Sequence, residues 1–276
     1  MTARYGVLGR PVLTAELLSL VKTGRVFSLS YPLSSRTPYA STTSRFSARP
    51  LRSHEEPLDD GPFREASEVL EMSSHTATHL EALCHIAEVA DGGLLLYGDV
   101  PVPEVATDEG FRGLGIEECP PILARGLLLD VAAGKGLDVL PDSYGITEDD
   151  LLDCCRLQGV EIRPGDCVLL RTGFSAYREA ERERFATVGA GPTPEACRWL
   201  AEQGICLTGS DTMSFEQVPS PHLGHLELVR RRGILVVKQA NLDEIARERI
   251  FEFLFLTAPL KLAGATASPV NPLAIC

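Results

Sequence analysis

Short apolar runs rich in Val, Leu and Ile recur along the chain, each bounded by Gly, Pro or polar clusters. They predict strands over Val26–Leu29, Gly126–Val131, Cys167–Arg171, Ile205–Thr208, Ile234–Lys238 and Phe251–Leu256. Helical signals sit between several of them. Thr147 with Asp150 three residues on forms a capping box ahead of Leu151 and Leu152, and Gly159 closes that helix. Thr193-Pro194 supplies a cap and a first-turn proline before Glu195–Gln203, with Gly204 at the exit. Ser220-Pro221 repeats the signal for a helix ending near Gly233. Strands and helices interleaved in this way predict an α/β fold.

Two stretches break the pattern. Residues 34–62 are rich in Ser, Thr, Arg, Pro and acidic side chains with no apolar period, which predicts an irregular lid or arm. Residues 174–192 are highly charged and read as an exposed helix or an insertion. No internal repeat or composition shift marks a boundary, so one domain over 1–276 is expected.

Composition narrows the function classes. At 44% hydrophobic and 23% charged, the chain has the make-up of a protein with a sizeable core. A formal net charge of −12 argues against a nucleic-acid binder, which needs a basic face, and disfavours anionic membrane surfaces. A small-molecule substrate fits better. Arg10 and Glu16 interrupt the apolar start, and no run reaches the roughly 18 apolar residues of a membrane span. A cytoplasmic protein is expected. The eight cysteines form no C-x-x-C pair and sit mostly in apolar runs, as free buried thiols would.

The histidines carry the candidate chemistry. Five of the six lie in two clusters: His75-Thr-Ala-Thr-His79-Leu-Glu81-Ala-Leu-Cys-His85, and His222-Leu-Gly-His225. Imidazole and carboxylate together are the usual ligands of a divalent metal where thiolates are absent. On one regular helix His75/His79 and Glu81/His85 would face different ways. A strand or turn over 78–81 lets His79 and Glu81 share a side while His75 returns from the preceding loop. The plainer alternative is that these are ordinary polar or core histidines.

The first cluster is similar to the motif H-x-G-T-H-x-D-x-x-x-H of the cyclase family of metal-dependent hydrolases, which includes bacterial kynurenine formamidase. Further stretches resemble that family: Gly209-Ser-Asp211-Thr212 with Glu216 and Pro219, His225 eight residues ahead of Gly233-Ile234, Ala124–Ala132, Arg163–Gly173, and the tail from Phe251 to Val270. The resemblance spans roughly residues 25–276. It implies a swivelling β/β/α-type domain with a mixed sheet and flanking helices. It also implies metal ligation by His75, His79 and Glu81, with proton transfer by His85. A second metal in such proteins is shared by the acidic residue, the later histidine (here His225) and a strand Glu, whose position here is Lys238.

Four departures stand out: Ala77 for Gly, Glu81 for Asp, Leu83 for Pro and Lys238 for Glu. Ala77 is tolerable only where positive φ is not needed. An ammonium cannot ligate a metal and would repel one nearby. Strand alternation puts 234, 236 and 238 on one face, so Lys238 is expected to point inward and pair with Glu81. A register shifted by one would turn Val237 or Gln239 inward instead. The expected catalytic set is His85, His225 and Lys238, with Asp211, Glu216 and His222 as substrate or supporting residues that orient an imidazole. Asp211 in a turn and Glu216 at the surface is the alternative.

The expected cofactor is at most one divalent metal (Zn or Mn), or none; a homodimer or homotetramer is expected. The reading leans to acid/base chemistry at a carbonyl that closes a ring in a polyketide-like biosynthetic intermediate. The alternatives are hydrolysis of an amide, lactam or formamide C–N bond, and a degenerate relative that only binds a ligand.

Overall fold

The computed structural model describes the chain apart from residues 1–4, 6, 7, 9, 10, 41, 42, 58–60, 220 and 221. Its centre is a nine-stranded mixed sheet built from β1 (Val26–Ser28), β2 (His79–Glu81), β3 (Ile122–Asp130), β4 (Cys167–Arg171), β5 (Leu207–Ser210), β6 (Leu235–Lys238), β7 (Glu252–Thr257), β8 (Ala267–Pro269) and β9 (Leu273–Ile275). The spatial order is β1-β9-β7-β3-β4-β5-β6-β2-β8. Strands β3 to β6 run parallel, whereas β7, β9 and β1 on one side, and β2 and β8 on the other, pair antiparallel.

The parallel strands are buried through most of their length, which explains why they read as continuous apolar runs rather than alternating ones. Helices join them. Glu148–Gln158 begins with the expected capping box and ends at Gly159 in the left-handed region; Pro194–Glu202 is capped by Thr193. Leu223–His225 continues into a π-helical turn, Leu226–Arg230, ahead of β6. The cap expected at Ser220-Pro221 lies outside the described residues.

Two expectations need correction. Part of 34–62 is a regular strand: Ser47–Arg52 pairs antiparallel with Ser67–Glu71. Both strands of that ribbon are largely exposed, so no core face imposed an apolar period on them. Residues 174–192 are not one exposed helix but a 3-10 turn, Phe174–Ala176, and two short, partly exposed α-helices, Tyr177–Ala180 and Arg182–Thr187, which bury Phe174, Arg178 and Phe185.

All eight cysteines are free and buried. No helix among the described residues is long and apolar enough to cross a membrane.

Candidate active site

The site lies at the carboxyl ends of the parallel strands, where open α/β sheets generally hold ligands. Lys238 ends β6, Asp211 follows β5 directly, and β2 crosses beside them with its three residues buried. Because β2 is a strand, His79 and Glu81 project to one side. The register sets Lys238 opposite His79. The turn before β2 carries His75, and within it Ala77 takes φ +53, the left-handed conformation that the glycine of the similar motif adopts freely.

Glu81 is fully buried among cations and imidazoles. Lys238 Nζ lies 2.6 Å from Glu81 Oε1, at ion-pair distance, yet neither carboxylate oxygen has an aligned hydrogen-bond donor. His85 Nε2 stands 3.3 Å from Oε1, and His225 Nε2 3.6 Å from Oε2. Burial pushes the Glu81 pKa upward, but Lys238, His85 and His225 outweigh it and hold the carboxyl well below its ordinary range.

Two imidazoles are oriented in the way metal ligands are. His79 Nδ1–H donates to the Ala77 carbonyl at 2.7 Å, and its Nε2 is buried with no partner. His225 Nδ1 contacts the Glu216 carboxylate, and its Nε2 is likewise buried and unpartnered. Glu216 also accepts from the backbone N–H groups of Gly224 and His225 at 3.1 and 3.3 Å. A Cβ on residue 224 would come within 3.1 Å of that carboxylate, so glycine there keeps the approach open. An imidazole donating through one nitrogen to a carbonyl or carboxylate presents a bare lone pair on the other. Burial, foremost, lowers His79 to about 4, and it lowers His225 as well, so both stay neutral at physiological pH.

His75 Nε2 meets Thr266 Oγ1 at 3.0 Å, and its ring centroid lies 5.1 Å from that of His79 and 4.3 Å from that of His85. Burial and the neighbouring His85 and His79 bring its pKa to about 3. The donor atoms of His75, Glu81 and His85 fall within 4.8 Å of one another, as do those of Glu216, His222 and His225. His85 thus stands closer to the His75–Glu81 pair than the expected ligand His79 does. The bare nitrogens of His79 and His225 and the unsatisfied Glu81 oxygens fit a divalent cation with nitrogen and oxygen ligands such as zinc or manganese.

Asp211 does not orient an imidazole. Its oxygens accept from the Thr172 N–H and hydroxyl and from the Gly173 N–H, pinning the turn after β4. Burial raises it to about 6 in spite of those bonds. His222 is largely exposed and lies 3.8 Å from Glu216.

Sequence reasoning passed over Tyr31 and Arg178. The Tyr31 N–H donates to Thr78 Oγ1 at 3.4 Å, and the Arg178 guanidinium stacks over the Tyr31 ring at 4.1 Å. Nothing distinguishes Arg178 from its charged neighbours Arg182 and Arg184 in sequence.

Kynurenine formamidase of Paracidovorax citrulli is 37% identical over 104 residues, 38% of this chain and 45% of that protein. That of Delftia acidovorans is 41% identical over 82 residues, 30% and 38% respectively. The chain therefore matches less than half the length of these relatives. A crystal structure titled as that of a novel cyclase superposes with a TM-score of 0.87 at 27% identity, covering 96% of this chain and 92% of that one. Isatin hydrolase A from Ralstonia solanacearum shares the fold, with a TM-score of 0.66 at 22% identity over 96% and 98% of the two chains. The Cyclase family model matches residues 27–217, well over half of the sequence, and the chain belongs to that family.

Proposed function

We propose that this chain is a hydrolase of an amide, lactam or formamide C–N bond in a small molecule, assisted by a single divalent cation. The observation that carries the reading is the convergence of His75 and His85 on the buried Glu81 carboxylate, beside the bare Nε2 of His79. The names of the related kynurenine formamidases and isatin hydrolases support it.

His75, His79 and Glu81 would hold the cation. When bound, it supplies Lewis acidity that polarises a carbonyl and lowers the pKa of water. Lys238 keeps Glu81 ionised and adds a second positive charge where an oxyanion develops. His225, oriented by Glu216, fixes the far side of the Glu81 carboxylate. His85 is the proton carrier, because its side chain is 29% exposed while that of His225 is 3% exposed, so it alone of the two can exchange with bound substrate and solvent.

Ring closure of a biosynthetic intermediate is the second reading. The ammonium at Lys238, in place of a further metal ligand, favours it, since the nucleophile is then the substrate's own carbon or oxygen. The two readings part in isotopically labelled water with an N-formyl aromatic amine as probe. Hydrolysis places one labelled oxygen in the released formate; absence of turnover across amide, lactam and formamide probes removes the hydrolase reading. A folded His85→Ala protein is expected to lose on the order of 10²–10⁴-fold in rate. Near-full activity would take His85 out of the mechanism. A cytoplasmic location fits the unpaired cysteines, and the substrate reading requires no partner beyond a small molecule.

A further inference from the structure

Arg178 is a buried cation whose one carboxylate contact among the described residues is distant and exposed. The residue is 4% exposed, and its Nε and Nη2 have no hydrogen-bond partner among the described residues. Its nearest carboxylate contact is Nη1 to Glu179 Oε1 at 3.9 Å, and Glu179 is itself mostly solvent-exposed. The two acidic groups near Tyr31 are already committed. Asp211 accepts from Thr172 and Gly173, and Asp243 accepts from Arg171 and Ser175. Burial lowers the guanidinium pKa from its ordinary value, as for a charge that the protein leaves uncompensated. Burying a cation in this state is costly unless something pairs with it.

The unpaired atoms are the informative part. Nε–H and Nη2–H lie on one edge of the guanidinium and point the same way, which is the fork that grips a carboxylate through two parallel bonds. The same chain shows that fork filled: Arg125 Nε and Nη2 donate to Asp166 Oδ1 and Oδ2 at 2.9 and 2.6 Å. At Arg178 the same fork is buried and has no partner among the described residues. Beside it the Tyr31 hydroxyl is a third buried donor with no aligned partner.

The position ties this fork to the catalytic cluster. Arg178 lies beyond the carboxyl end of β4, two strands from Lys238 at the end of β6, and strands spaced about 4.8 Å set those ends roughly 10 Å apart. Tyr31 bonds to Thr78, whose hydroxyl donates to the Gln239 carbonyl at 2.6 Å; these residues adjoin His79 and Lys238. Tyr31, Leu33, Ala77, Thr78, Leu260 and Val270 line a largely apolar cleft of ≈ 400 Å³; Arg178 does not line it and adjoins it through the stacked Tyr31 ring. That room suits a small ring.

We propose that Arg178 and Tyr31 form a subsite for the carboxylate of a small aromatic acid, the class of substrate whose C–N bond the adjacent cluster attacks. The proposal deepens the hydrolase reading, but its test needs no turnover. Fluorescence titration of the full-length protein, as purified, with 2-aminobenzoate should show saturable binding. The uncharged 2-aminobenzamide should bind at least about tenfold more weakly. Arg178→Met should weaken 2-aminobenzoate about 10–100-fold, the effect of losing charge-assisted bonds, and raise the melting temperature by removing an unpaired buried charge. Should Arg178→Met not fold, Tyr31→Phe keeps the stacked ring and is expected to weaken binding a few-fold. His75→Ala should leave this binding in place, which separates the guanidinium from a metal as the anion's partner. Equal affinity for acid and amide, or unchanged affinity in folded Arg178→Met, would overturn the subsite. Loss of binding in His75→Ala with retention in Arg178→Met would overturn it too.

Discussion

Two buried ion pairs are built into the same sheet, and they are finished to different degrees. At one end, Arg125 makes four hydrogen bonds: two to Asp166, one to Glu252 at 2.7 Å and one to the Glu161 carbonyl at 2.8 Å. At the other, Lys238 touches Glu81 closely, while both Glu81 oxygens and two neighbouring imidazole nitrogens remain without aligned partners. A satisfied network rigidifies a fold, whereas a partly satisfied one is expensive and persists where something else completes it. By that contrast the Arg125 pair is frame and the Lys238 pair is site.

Charge deletion separates the two most strongly. Arg125→Met strands Asp166 and Glu252 and should cost about 3–5 kcal/mol of stability without changing metal content. The double replacement Glu81→Gln/Lys238→Met removes both charges together, so it should cost much less stability while abolishing metal binding. Urea denaturation with elemental analysis of the same preparations reads both quantities. A larger stability loss from the double replacement would reverse the assignment.

Acid provides a second handle on the unfinished region. The folded chain holds His75 at about 3 and His79 at about 4, below the ordinary imidazole value, and His225 is lowered too. These groups bind protons only on unfolding, so in metal-free protein their contribution to stability is present above pH 6.5 and is lost as pH falls toward 4. Asp211, raised to about 6, acts oppositely: its folded form takes up a proton first, which favours the fold as pH falls. The three imidazoles, joined by the depressed Glu81 carboxyl, outweigh Asp211, and each net proton is worth about 1.4 kcal/mol per pH unit. Chelated protein should therefore lose stability between pH 6.5 and 4; a flat profile would mean that the histidines are not held neutral.

The smallest expected effect concerns the turn that carries His75. Ala77 sits at φ +53 and is buried. Ala77→Gly relieves left-handed strain worth roughly 1 kcal/mol and should raise the melting temperature slightly with the site geometry retained. A fall would mean that the methyl's packing outweighs the strain.

Much of this was legible in the residues. Strand Cys167–Arg171 and the capping box at Thr147 appear as expected because local chemistry alone dictates them. The H-x-E spacing of His79 and Glu81 called for a strand or a turn over 78–81, and the structure forms a strand there, His79–Glu81. Other features depended on tertiary contacts. Strand β5 runs to Ser210 through Gly209 and Ser210, residues of low strand propensity that are buried and held by neighbours on both sides. The role of Asp211 was open in sequence because only the fold brings Thr172 and Gly173 to it. Arg178 looked like solvated surface, and only packing against Tyr31 distinguishes it from Arg182.

The central claim is that the Lys238 ammonium takes the place of a second cation beside Glu81, leaving room for one. Metal content per chain, by elemental analysis of protein purified without chelator, tests it most directly when wild type and Lys238→Glu are measured side by side. The account predicts at most one divalent ion per wild-type chain and a higher content in Lys238→Glu. Two ions per wild-type chain would contradict it.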